Sequence, residues 1–181
     1  MTRYLVLILA AIILSACSIQ GMAEKAVPEP VRDEAHANVT EIMSGDFSSI
    51  EAIPGTEGEA FETALSNMQA EVRDGAERAR NLVGFQSNVS KGTGEATRKS
   101  YNLAWEVETA GGFTTISQTF LSEDGSAPAL AAVQIAGSDK STAAQIRRIG
   151  MAARIMGVAL LIGIALVALF LLRRRRMSPN D

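Results

Sequence analysis

"YNLAWEVETAGGFTTISQTFLSEDG", residues 101 to 125, carries the two-residue apolar period that replaces the helical one after Arg80. Tyr101, Leu103, Trp105 and Val107 alternate with Asn102, Ala104, Glu106 and Glu108, which gives one strand an apolar face and a polar face. Ala110-Gly111-Gly112 is a turn, and Phe113 to Leu121 returns as the next strand. Ser122-Glu123-Asp124-Gly125-Ser126 turns again into Ala129 to Ala136, with Ala131, Val133 and Ile135 expected inward. Upstream, Val83, Phe85 and Val89 alternate in the same way, and the glycines of "KGTGEATRKS" (91–100) fit a hairpin loop. Four consecutive strands with short connections predict an antiparallel meander, and a sheet with one apolar face needs a cover.

The preceding segment supplies that cover. Ala35, Val39, Ile42 and Met43 share one face of a helix expected from Asp33 to about Gly45. Phe47, Ile50 and Ile53 continue as a short second piece before Pro54-Gly55. Thr56-x-x-Glu59 has the form of a capping box, and behind it Ala60, Phe61, Ala64, Leu65, Met68 and Val72 form a third helical stripe. The expected fold class is α+β: N-terminal helices packed on a four-stranded antiparallel meander over residues 33–137, plus one C-terminal transmembrane helix.

Helices first and a curved meander second resembles the cystatin-like or nuclear-transport-factor-like cone fold, which includes many short bacterial envelope lipoproteins. The resemblance is carried by "ANVTEIMSGDFSSIEAIPG", the capped helix after it, and the stretch quoted first. It implies that a small ligand, or a partner's surface, is held between helix and sheet. Phe61, Phe85, Tyr101 and Trp105 would line such a pocket, with the phenol and the indole N–H as polar handles. The same four side chains also read as plain core aromatics.

Both ends of the chain carry apolar runs. "YLVLILAAIIL" (4–14) follows Arg3 and is too short to span a bilayer, which takes about 20 residues. Leu14-Ser15-Ala16-Cys17 directly after it resembles the lipobox of bacterial lipoproteins, which implies a signal peptide over 1–16 and a lipidated Cys17 as the mature N-terminus. Cys17 is the only cysteine, so an exported domain would fold without disulfides. "IMGVALLIGIALVALFLL" (155–172) is eighteen uncharged residues, about 27 Å as a helix, bounded by Arg154 and by Arg173, Arg174, Arg175 and Arg176. It reads as a transmembrane helix with a cytoplasmic arginine stop, and Ala159-x-x-x-Gly163 is a small-residue packing signal within it. An exported Cys17 puts the domain in the periplasm and the tail 173–181 in the cytoplasm. Residues 17–32, with Pro28 and Pro30, read as a tether, and 138–154 as a juxtamembrane linker whose Thr142–Arg154 part could continue the helix outward.

Ser18–Ile146 carries 9 Lys+Arg against 19 Asp+Glu, a formal charge of −10. Such a surface argues against nucleic acid as a partner. Chemistry is sparse. His36, the only histidine, lies near Asp33, Glu34 and Glu41 at helical spacing and reads as part of a solvated face rather than a metal centre. Glu106 and Glu108 are expected to face water rather than form a buried acid–base pair. Arg98 stands where a phosphate-binding loop needs glycine. No cofactor and no metal is expected. The function expected is a non-catalytic, membrane-anchored binding or interaction module of the cell envelope. Its partners would be membrane lipid and an inner-membrane or periplasmic protein. The alternatives are a cone-fold enzyme acting on a small apolar substrate, or a structural subunit of an inner-membrane complex.

Overall fold

The computed structural model describes residues 23, 25–91 and 96–176, with side chains except at 153, 154, 161 and 165–176. Cys17 lies outside the described residues, as does the side chain of each of Arg173 to Arg176. The chain divides into two compact units, one ending at Ala143 and one beginning at Ala144. The first holds α1 (Glu29–Met43), α2 (Ser48–Glu51), α3 (Glu59–Glu71) and the strands β1 (Ala79–Lys91), β2 (Thr97–Thr109), β3 (Gly112–Glu123) and β4 (Ala129–Ser138). The strands form one antiparallel sheet in the order β1-β2-β3-β4, so the α+β class and the meander are both present.

Helices and sheet meet in two apolar clusters. Val39, Ile42, Phe47, Ile50, Ile53 and Leu65 pack on Val107, Ile116 and Ile135, while Val27, Val31 and Ala35 pack on Leu103 and Phe120. Each large apolar side chain buried here contributes about 1.5–3 kcal/mol, which is what fixes the strand register. The helical part begins earlier than Asp33. Pro30 sits in the first turn of α1, where its missing N–H costs nothing, and Ala23, Val27 and Val31 are all buried. The segment read as a tether therefore contributes packing from Ala23 onward.

The capping box at Thr56 is not formed. Gly58, at φ 91°, stands at the N-cap of α3 without a side-chain cap, and the Thr56 hydroxyl donates instead to the Ile53 carbonyl at 2.5 Å. That bond closes the turn after α2. The Asp46 carboxyl accepts the Ser48 N–H at 3.0 Å, and this bond holds its pKa below the usual carboxylate value.

Two bulges change which strand residues face the helices. Leu82 pairs with Trp105 and Gly84 with Ala104, so Val83 is the extra residue and Leu82 takes the inward place expected for Val83. Thr119 pairs with Ala132 and Phe120 with Leu130, so Ala131 is likewise skipped and Leu130 faces the core. A single inserted residue inverts the two-residue alternation, and period alone does not show where the insertion falls.

The tight turns carry their own chemistry. Asp124 and Gly125 both hold positive φ, 49° and 80°, at the centre of a tight turn that the Ser126 N–H closes onto the Glu123 carbonyl at 2.9 Å. The Lys91–Thr97 pair closes β1 onto β2, as a hairpin loop at 91–100 demands. At Gly137 a Cβ would stand 2.6 Å from the Glu71 carbonyl oxygen, because the chain leaving α3 crosses β4 there.

From Thr142 one helix, α4 (Thr142–Arg176), runs for 35 residues. The expected outward continuation of the 155–172 stretch is thus a single helix. Among the described residues no helix is long and apolar enough to cross a membrane. Side chains are described only as far as Ile164, so the second half of the 155–172 stretch lies beyond them.

Candidate functional site

The four aromatics expected to line a pocket are spread along the helix–sheet layer. Phe61 packs on the first cluster, Phe85 and Tyr101 on the second, and Trp105 on both. The His36 ring meets Trp105 edge-on, with centroids 5.6 Å apart at 87°. The buried indole N–H finds no acceptor among the described residues.

The opposite face of the sheet is different in kind. Two cross-strand rows run side by side over it: Gln86–Asn102–Thr119–Ala132 and Gly84–Ala104–Ser117–Gln134. Glycine, alanine and serine keep the floor low, and these eight residues, with Phe85, Leu103 and Gln118, line an open depression of about 410 Å³. Every lining residue is uncharged, although Ser18–Ile146 carries a formal charge of −10. The Thr119 hydroxyl donates to Asn102 Oδ1 at 2.7 Å, which leaves the Asn102 Nδ2 hydrogens for a ligand. Gln86 Nε2 donates to Asn88 Oδ1 at 3.3 Å. Such a floor can hydrogen-bond a neutral polar ligand; it offers no group of the kind that transfers protons near neutral pH.

The next row on this face is Asn81–Glu106–Thr115–Ala136. The alternation assigns Glu106 to the face opposite Trp105, as expected, but the expectation that it meets water fails: Glu106 is 1% exposed. Ser141 Oγ donates to its Oε1 at 2.7 Å, the Thr142 N–H to its Oε2, and the Ala143 N–H to both oxygens at 3.2 and 3.3 Å. The chain after β4 folds over this row, and Glu106 receives the amides that a helix start leaves without internal partners. A negative group is favoured at that end of a helix. Sequence period finds the face, and only the return of residues 139–143 tells what covers it.

His36 is exposed, as expected, but it is engaged. Arg80 Nη1 lies 3.3 Å from both ring nitrogens and donates to the His36 carbonyl at 3.1 Å and to Thr40 Oγ1 at 3.0 Å. Arg80 also forks onto Glu77, at 3.0 and 2.6 Å. This arginine, with its side chain 10% exposed, ties the start of β1 to the middle of α1. The carboxylates imagined around His36 in the sequence are not its partners here, and among the described residues no group of three His, Cys, Asp or Glu could hold a metal ion. Comparison of the chain with protein-family models, with curated proteins and with solved structures finds no match.

Proposed function

We propose that the chain is a lipid-anchored, single-pass protein of the bacterial inner membrane whose α+β unit works in the periplasm as a non-catalytic binding module. The observation that carries this is α4. Ile149, Met151, Ile155, Met156, Val158, Leu160, Ile162 and Ile164 are each more than half exposed. From 155 to 164 they point to all sides of the helix, and a helix apolar all round belongs inside a protein core or a bilayer. The sequence continues the run to Leu172 and then places four arginines, which suits a spanning segment with a cytoplasmic stop. The lipobox-like Leu14–Cys17 suits an acyl anchor at the other end. Helix-then-meander order is the part of the cone-fold resemblance that supports a binding role.

The binding surface we assign is the open sheet face, because its neutral amides and hydroxyls present donors and acceptors around the depression. The ligand class is an uncharged polar chain, such as a peptide backbone or a glycan.

Mass spectrometry of the purified full-length protein should show loss of residues 1–16 and added acyl mass on Cys17, and alkaline carbonate should leave the protein in the membrane. An intact Met1 together with release by carbonate overturns the anchoring. For the binding role, a photo-reactive residue at Gln134 should yield adducts that disappear when Ser117→Trp fills the depression. Adducts unchanged by that substitution place the binding surface elsewhere.

A further inference from the structure

Edge strands of sheets are open templates for another strand, and stable proteins guard them with charges, prolines, bulges or a covering element. The two edges of this sheet are treated differently. On β4, Glu71 at the end of α3 accepts the Gly137 N–H at 2.7 Å. On β1 the residues from Leu82 to Ser90 are nine in a row without a charge or a proline, and the only bulge in the strand is at Val83. From Gln86 to Lys91 every residue is exposed, and Val89, whose strand position faces the helix side, stands 69% exposed. Nothing among the described residues covers it.

We infer that β1 is a self-association edge, and that two copies of this chain pair through it antiparallel about Ser87. In that register Val89 of each copy lies opposite Phe85 of the other, Gln86 opposite Asn88, and Gly84 opposite Ser90. Phe85 and Val89 share a face, so the pairing covers the exposed valine with an aromatic ring twice over. The amide side chains of Gln86 and Asn88 meet on the other face, where they can hydrogen-bond to each other. The two-fold register points to a second copy rather than an unrelated strand, since the exposed Val89 of each chain finds its cover in the Phe85 of the same strand in the other. Two copies of Ser18–Ile146, each of formal charge −10, repel over most of their surfaces, but β1 carries only the positive Arg80 and Lys91. The edge is therefore where two such units meet with no acidic side chain in the join, and Lys91 of each copy lies opposite the uncharged Val83 of the other. The register makes no use of the membrane, although two anchored copies would encounter each other more often.

The test uses the full chain in its membrane. Ser87→Cys should give a disulfide-linked dimer on mild oxidation, with peptide mapping assigning the 87–87 link and separating it from any link through Cys17. Ala132→Cys, on the guarded edge, should give none. Adding Val89→Glu to Ser87→Cys should lower the linked fraction about tenfold, since two aromatic–aliphatic pairs are lost together and a carboxylate is set against each Phe85 ring. Equal linking at 87 and 132, or a monomeric mass in detergent with no 87–87 link, overturns the inference. So does a photo-reactive residue at 87 that captures a different chain in place of a second copy.

Discussion

Glu106→Ala is expected to destabilise the α+β unit by about 3–4 kcal/mol, because it removes a buried acceptor shared by three donors and orphans the buried Ala143 amide. The Glu106 side chain is 1% exposed and takes bonds from Ser141, Thr142 and Ala143. A hydrogen bond to a charged group contributes about 1.5–3 kcal/mol net, and each buried donor left unpaired costs about 1–3 kcal/mol, so the lost acceptor outweighs the modest gain from removing a polar side chain. Glu106→Gln should fall between, since it keeps one acceptor oxygen but brings two hydrogens that face donors. Trp105 is the only tryptophan and neighbours Glu106 on β2, so its fluorescence during urea unfolding of the full-length protein reads the unit directly. The midpoint should drop with an unchanged slope, as for a pure stability loss. A change under about 0.5 kcal/mol, the scale of ordinary surface substitutions, would mean that the clamp does not hold in solution.

Much of this architecture is legible in the alternation of Leu103, Trp105 and Val107 and in the helical spacing of Ala35, Val39 and Ile42, because both patterns follow from which side of an element meets the core. What stays hidden depends on contacts between distant parts of the chain. The bulges at Val83 and Ala131 each shift a strand by one residue, and nothing in an alternating run marks where the shift falls. Thr56 and Glu59 match a capping pattern, but the preceding turn takes the hydroxyl first. Glu106 reads as a solvent-facing carboxylate because the residues that bury it come more than 30 positions later. The candidate binding face was missed for a related reason. Gly84, Ala104 and Ser117 are unremarkable one at a time, and only the strand register sets them in one row. A sequence signal was available in the small residues at the polar positions of three successive strands, which leave a low floor wherever the register aligns them.

Gln118→Ala should cost about 3 kcal/mol, and its mechanism can be separated from simple loss of volume. Gln118 is an inward position of β3, 1% exposed, in a row that otherwise reads Thr114, Ile116 and Phe120. Its Oε1 accepts from Asn38 Nδ2 at 3.0 Å and its Nε2 donates to the Ala35 carbonyl at 2.8 Å, so one side chain joins the sheet to α1 at two points. The Ala35 carbonyl keeps its intrahelical partner when Gln118 is removed, but the buried Asn38 amide loses an acceptor and has no water to replace it. The penalty should therefore sit on Asn38. Gln118→Leu fills most of the volume and still orphans the amide, so it should remain about 2 kcal/mol worse than the native protein. Pairing it with Asn38→Leu removes both polar groups and should recover more than half of that loss. A double-mutant cycle read by the same unfolding transition should give a coupling of at least about 1 kcal/mol. If the two leucine substitutions simply add, the amide pair contributes nothing specific, and the docking of α1 on the sheet rests on its apolar contacts, Val31 and Ala35 on Leu103 and Phe120 and Val39 and Ile42 on Val107 and Ile116, with the Arg80 bonds beside them.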